Sequence, residues 1–270
     1  MKNVLKEFLP PIVLRTYRSF VGNGQDSYGY FGNYATWAEA LAAGKGYDAP
    51  LILEKVRGAT HDVILGKAAF ERDSVTFSTP DFNWPLLTHL LSIAAENNGQ
   101  LSVLDFGGSL GSSFFQNRPY LASLKKVRWS IVEQPAFVAV GKKEFENESL
   151  RFYSTVEECF AVERPHLVLL SSVLPYIEKP YELLNDIISK RPRHVLIDRT
   201  AFLKTPHTER ITLQKVPPKI YDASYPARFF DIEEIQSVFA QDYLLSAQWD
   251  LLEGASDWAY ERGLLFTLKK

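Results

Sequence analysis

The sequence predicts an α/β fold in which one doubly wound, mostly parallel seven-stranded sheet carries helices on both faces. Three observations lead there. From residue 101 onward, short apolar runs of strand length alternate with helical patterns. The first of these runs closes on Gly107-Gly108, the tight turn through which a buried parallel strand feeds a helix. The last two runs follow one another as an antiparallel pair. Strand–helix alternation with right-handed crossovers leaves few other architectures open.

The part before residue 99 has few strand-like runs and reads as an N-terminal helical cap, residues 1–98, ahead of the α/β domain, residues 99–270. Residues 4–20 are partly helical, with Pro10 and Pro11 interrupting the pattern. Residues 22–33 mix glycines with aromatics and read as a loop whose rings pack down. Thr36 is an N-cap for a helix beginning at Trp37, and Glu39 completes a capping box. Gly44 and Gly46 end that helix. Residues 47–65 give another short helix, and residues 84–95 a third with Leu86, Leu87, Leu90, Leu91 and Ala94 on one stripe. Asn97, Asn98 and Gly99 stop it.

The seven strands are expected over residues 101–106, 129–133, 151–153, 167–171, 194–198, 243–252 and 263–268. Their apolar runs have the form of strands covered on both faces. Pro180 suits the first turn of a helix, and Asp231 caps another that runs as far as Phe239.

Composition narrows the function classes. With 270 residues, 46% apolar and 23% charged, the chain can bury one substantial core. Its 30 basic and 32 acidic side chains nearly cancel, so no electrostatic footing for nucleic acid exists. One cysteine, Cys159, gives neither an internal disulfide nor a multi-cysteine zinc site, which fits a reducing, cytoplasmic setting. No signal peptide and no 18-residue apolar stretch is evident, so no transmembrane segment is expected. His61, His89 and His194 lack a metal-ligand spacing, and no metal is expected. The pattern does not specify an oligomeric state.

The strongest local signal is Val103-Leu104-Asp105-Phe106-Gly107-Gly108-Ser109-Leu110-Gly111. A strand must turn sharply here while a ligand approaches the backbone, and glycine serves both needs. The helix that follows offers unpaired N–H groups at its start. Glu133 stands 22 residues beyond Gly111, at the end of the next strand, where a carboxylate accepts bonds from ribose hydroxyls. An acid at Asp105 is poorly placed beside a pyrophosphate and well placed beside a sulfonium-bearing amino acid. That favours a methyl donor over a nicotinamide dinucleotide. No Gly-Lys-Ser/Thr closes the turn, so a phosphate loop is a poor match.

On these residues the chain resembles the class I S-adenosylmethionine-dependent methyltransferases. More narrowly, it resembles a methyltransferase family associated with bacterial surface-polysaccharide gene sets. The narrower likeness rests on motifs in order along the chain: Gly29-Tyr30-Phe31-Gly32 with Trp37 and Gly46-Tyr47-Asp48; Phe70-Glu71-Arg72-Asp73; the glycine-rich turn; Val132-Glu133-Gln134-Pro135; Ser171-Ser172-Val173-Leu174-Pro175-Tyr176; Ile197-Asp198-Arg199-Thr200; and Tyr225-Pro226-Ala227-Arg228-Phe229-Phe230. The resemblance implies S-adenosylmethionine as cofactor. It implies that Asp105, Gly107, Gly108, Ser109 and Gly111 shape the methionine side and that Glu133 holds the ribose. Gln134 and Pro135 would lie beside the adenosine. Ser171 and Ser172 would border the adenine or the transferred methyl. Ser109 departs from the general pattern, which commonly has a middle glycine there.

An acceptor hydroxyl needs a group to take its proton. Asp198, Arg199, Thr200, His207, Glu209 and Arg210 form the richest region, beyond the fifth strand, with His207 the best-placed histidine and Asp198–Arg199 either a substrate contact or a salt bridge. Tyr221, Tyr225 and Arg228 suit the wall of a sugar site, as does Tyr30, although core packing explains the tyrosines as well. Tyr30, Trp37 and Arg72-Asp73 would close the cap over the pocket. The reading is methyl transfer to a hydroxyl of a sugar or other small molecule, the sugar coming from the family association alone. The alternatives are an NAD- or nucleotide-sugar-dependent oxidoreductase and a noncatalytic cofactor-binding assembly protein.

Overall fold

The computed structural model describes residues 28–46, 49–217, 220, 222–251 and 258–270. The helix expected over residues 4–20, the motif residues Tyr47 and Asp48, and Tyr221 lie outside the described residues. Twelve strands are described: β1 (Gly29–Tyr34), β2 (Phe70–Arg72), β3 (Val75–Phe77), β4 (Gln100–Phe106), β5 (Lys126–Val132), β6 (Leu150–Tyr153), β7 (Leu167–Ser171), β8 (His194–Leu203), β9 (Arg210–Lys215), β10 (Ser224–Phe229), β11 (Tyr243–Leu251) and β12 (Ala259–Leu268). The described α-helices are α1 (Trp37–Ala43), α2 (Ala49–Ile64), α3 (Trp84–Glu96), α4 (Ser112–Leu121), α5 (Pro135–Glu144), α6 (Val156–Val162), α7 (Pro180–Ser189) and α8 (Ile232–Phe239).

Seven strands form one sheet in the order β11-β12-β8-β7-β4-β5-β6. Strand β12 runs antiparallel to both of its neighbours, while β8, β7, β4, β5 and β6 are mutually parallel. The period of two along each strand divides the core. Val103, Ile131, Leu169 and Leu196 join one cluster with Leu90 and Ile93 of α3, Phe114 of α4 and Phe137 of α5. Their sequence neighbours Leu104, Val132, Val168, Leu170, Val195 and Ile197 point the other way, to Cys159 of α6, Leu184 and Ile187 of α7, and Phe239 of α8. Each such side chain contributes about 1.5–3 kcal/mol on burial. The expected doubly wound, seven-stranded sheet is therefore the observed one.

Local signals explain the element ends. Thr36 Oγ1 accepts from the Glu39 N–H at 3.2 Å, and Glu39 returns a bond to the Ala35 N–H at 3.1 Å, so the box closes one residue early. Asn98 and Gly99 take φ of 56° and 82°, the left-handed turn that ends α3.

Four features differ from the sequence expectation. The stretch read as a loop before Thr36 contains β1, which pairs antiparallel with β9 in a separate sheet of order β1-β9-β10. Its alternation is masked because aromatics occupy both of its faces. Residues 70–77 form the hairpin β2–β3, whose strands are too short to carry a period. Strand β8 continues to Leu203 instead of ending at Asp198, so Arg199 and Thr200 lie within it rather than beyond it. The segment containing Tyr225 and Arg228 is strand β10. The part before residue 99 thus holds strands as well as helices, and α2 and α3 pack in the same core cluster as the sheet.

Gly141 shows how closely α5 lies on β6. A Cβ at Gly141 would stand 2.4 Å from the Phe152 ring, which is buried. Alanine ordinarily favours a helix by about 1 kcal/mol over glycine. Here the overlap dominates, and Gly141→Ala is expected to destabilise the fold by about 1–3 kcal/mol in denaturant titration. Adding Phe152→Leu should recover part of that loss; a stabilised single variant would contradict the packing described.

Candidate functional site

The chain leaves β4 toward β5 and β6 on one side and returns to β7 on the other. At such a switch point the connections diverge and open a crevice beyond the carboxyl ends of the strands. A cleft of about 680 Å³ lies there. Its floor is the turn after β4, with Glu133 and Gln134 beyond β5 and Ser171 and Ser172 at the end of β7.

Asp105 is the deepest charged group of this floor. It is almost wholly buried, and the Trp129 indole Nε1–H donates to its Oδ2 at 2.9 Å. Burial raises its carboxyl from 3.8 to about 7, against the Trp129 bond and with a smaller push from Glu133. Gly108 sits directly over it, where a Cβ would stand 2.6 Å from the Asp105 carboxyl. Gly107 has φ of 71°, and its N–H donates to the Val132 carbonyl at 2.9 Å, which ties the turn to β5. Ser109, the residue that replaces a common glycine, holds φ of 56°. It adopts the left-handed conformation a glycine would take freely, at a cost on the order of 1 kcal/mol.

Gly111 has a different place from the one expected. It does not line the cleft; it is the N-cap of α4 with φ of 104°, packed against Phe115 and Leu150. Glu133 faces the turn from the next strand. Burial raises its pKa, while the N–H groups of Gln134 and Ser109 hold it down. Ser154, after β6, and Phe137 continue this end of the cleft.

The opposite end is built by elements distant in sequence. Trp37 of α1, Arg72 and Asp73 of the hairpin, Tyr176, Arg199 of β8 and Tyr225 of β10 line it. Tyr176 and Tyr225 meet edge to face, their centroids 5.5 Å apart. Tyr30 stands behind Tyr176, whose hydroxyl it faces, and packs against Phe229 at 4.9 Å. It therefore supports the wall rather than lining it.

Besides Gly111 and Tyr30, three more expected site residues do not line the cleft. His207 lies in the exposed connection between β8 and β9, its side chain 73% accessible, with Nδ1 3.5 Å from Glu233 and 3.7 Å from Asp231. Asp198 is enclosed: its Oδ2 accepts from Ser171 Oγ at 2.9 Å and Asn83 Nδ2 at 2.8 Å. Burial raises its pKa. It braces β7, β8 and the start of α3 instead of facing a substrate. Arg228 is paired with Glu209 at 2.9 Å behind the tyrosine wall. Tyr221 lies outside the described residues.

Glu71 lines the cleft as well, and the motif Phe70-Glu71-Arg72-Asp73 alone assigns it no role. It is buried on the short strand β2, accepts from the Ser112 hydroxyl at the start of α4, and takes the Ser74 N–H at 3.3 Å. Burial raises it to about 7 despite the Ser112 bond. Among the described residues, no group of three or more His, Cys, Asp and Glu side chains could hold a metal, and no helix is long and apolar enough to cross a membrane.

No protein-family model matches the chain, and no curated protein matches it by sequence. Solved structures do. The N-terminal domain of EvdMO1 with SAH bound is 14% identical, covering 78% of this chain and 97% of its own, with a TM-score of 0.47. The Burkholderia thailandensis 1,6-didemethyltoxoflavin-N1-methyltransferase is 14% identical over 92% of this chain and 98% of its own, with a TM-score of 0.47. Magnesium protoporphyrin IX methyltransferase from Synechocystis PCC 6803 is 13% identical over 83% and 98%, at 0.45. The strand order, with antiparallel β12 set between β8 and β11, is the class I S-adenosylmethionine-dependent methyltransferase fold.

The two raised carboxyls give a pH dependence. A carboxyl whose folded pKa exceeds its unfolded value binds more protons when folded, so stability falls as pH rises toward the folded value. For Asp105 and Glu71 the window runs from about 4 to about 7. Ligand-free protein should be less stable at about pH 8 than at about pH 5.5, by a few kcal/mol in urea titrations. Asp105→Asn should flatten that slope; a wild-type stability constant across the window would contradict the burial described.

Proposed function

We propose that this protein transfers the methyl group of S-adenosylmethionine to a hydroxyl of a sugar or other small molecule. The observation that carries the reading is the acid pair at the switch point. Asp105 lies under a turn stripped of Cβ at Gly108, and Glu133 faces the same turn from β5. This pairing suits a ligand with a cationic amino-acid end and a vicinal diol. A pyrophosphate would meet the Asp105 carboxyl across the same turn.

The residues divide the cleft by role. Asp105 and the backbone of Gly107 and Gly108 hold the amino-acid end, and Glu71 adds negative charge beside the start of α4. Glu133 accepts from the ribose hydroxyls, with Gln134, Pro135 and Phe137 beside the nucleoside. Ser171 and Ser172 border the middle of the cleft, and Trp37, Tyr176 and Tyr225 form the acceptor end. When bound, S-adenosylmethionine would supply an electrophilic methyl group, and the Trp37, Tyr176 and Tyr225 end of the cleft would hold the acceptor hydroxyl toward it. Methyl transfer of this kind depends chiefly on holding the partners in line. The segment before residue 99 serves as the cap that keeps water from the acceptor end.

Calorimetry tests this directly. Wild-type protein is expected to bind S-adenosylmethionine and S-adenosylhomocysteine. Glu133→Ala should weaken both by roughly tenfold to a hundredfold through loss of charged hydrogen bonds. Gly108→Ala should do so by pushing a methyl group into the Asp105 carboxyl. Tight NAD binding with no response to S-adenosylhomocysteine would replace this reading with the oxidoreductase one.

A further inference from the structure

Arg199 occupies an irregular place in the central sheet. Strand β12 pairs Arg262 with Thr200 and Leu264 with Ile197, so Asp198 and Arg199 together oppose Gly263 alone. This is a β-bulge, a device that re-aims a side chain out of the regular alternation. Arg199 takes φ of 48° at the bulge, a left-handed conformation that a long side chain adopts only against a steric cost. Gly263, opposite the bulge, leaves room for the Trp249 indole, which lies where a Cβ would stand. The sheet is distorted here, one step past the Ser171–Asp198 pair where β7 ends.

The distortion delivers a guanidinium to the cleft. Arg199 lines it and is half-buried. Its side chain makes no hydrogen bond or salt bridge with another described residue. The neighbouring Asp198 feels the charge; its Oδ2 accepts from Ser171 and Asn83, and its buried Oδ1 takes no side-chain hydrogen bond from Arg199. Arg228, one element away, shows the ordinary alternative: it is paired with Glu209. A partly desolvated guanidinium presents a planar fork of donors that matches the oxygens of a carboxylate or phosphate.

We propose that Arg199 binds an oxyanion carried by the acceptor, so that the acceptor is a carboxylated or phosphorylated small molecule rather than a neutral one. Tyr176 and Tyr225 flank the site and supply faces for the ring or chain that bears the anion. The inference rests on the methyl-transfer reading for the word acceptor, but the anion site stands on its own geometry.

The test uses full-length protein with 15N-labelled arginine, titrated with inorganic phosphate and with acetate, with and without S-adenosylhomocysteine. The Arg199 Nε–H resonance is expected to move saturably with at least one anion. Tighter phosphate binding would assign a phosphorylated acceptor, and tighter acetate binding a carboxylated one. Arg199→Gln should weaken anion binding by at least about tenfold while leaving S-adenosylhomocysteine affinity unchanged. Arg199→Gly, which relieves the left-handed backbone, should lose the anion yet hold or raise Tm. No saturable movement with either anion overturns the proposal. So does a parallel loss of S-adenosylhomocysteine affinity in Arg199→Gln, which would assign the guanidinium to the donor's carboxylate. Failure of wild-type protein to bind S-adenosylhomocysteine would instead remove the methyl-donor reading, and the ligand-free titration would still report on Arg199.

Discussion

The carboxyl of Asp105 is enclosed by the hydrocarbon of two core layers and meets one polar side chain, the Trp129 indole. A charge in that position is costly unless something answers it. The sequence around it is arranged on this constraint. Trp129 is itself fully buried on the neighbouring strand, so its N–H is fixed in direction. Gly108 keeps the one remaining approach clear, and Gly107 bends the chain over it. The floor of the cleft is thus an unsatisfied demand for positive charge, set at the point where the sheet's connections part.

A second buried carboxyl has the opposite character. Asp198 is held by Ser171 and Asn83, three elements meeting at one group. Asn83 also caps α3, accepting the Leu86 N–H at 3.2 Å. The sequence places Asp105 and Asp198 alike, as acids at strand ends followed by unusual backbone. Only their surroundings separate them: Asp105 has one donor and lines the cleft, whereas Asp198 has two donors on its Oδ2 and does not line it. Buried acids are functional or structural according to what remains free on them.

The half of the cleft proposed to hold the methyl donor was legible because it is local. Residues 105–109 and 132–135 line it within two consecutive strand–turn–helix units, and both periods were strong. The opposite half, proposed as the acceptor end, was legible only as a set of residue types. Its position depends on β1 pairing with β9, on the hairpin that carries Glu71, and on the bulge that extends β8 past Asp198. None of these leaves a periodic trace. Strands of three residues have no period, β1 has aromatics on both faces, and a bulge interrupts alternation by definition. His207 looked well placed in a line of polar residues beyond a strand, yet the strand ran five residues farther and carried it out to solvent.

The sheet β1-β9-β10 brings the strand that precedes α1 against strands that follow β8. Gly29 is paired with Lys215, and Tyr30 with Gln214. Closing so long a loop is slow compared with forming the neighbouring strand–helix units. During synthesis the floor around Asp105 and Glu133 is made before β10, whose Tyr225 is added to the cleft last. A chain stalled between them would carry that floor without its complete tyrosine wall.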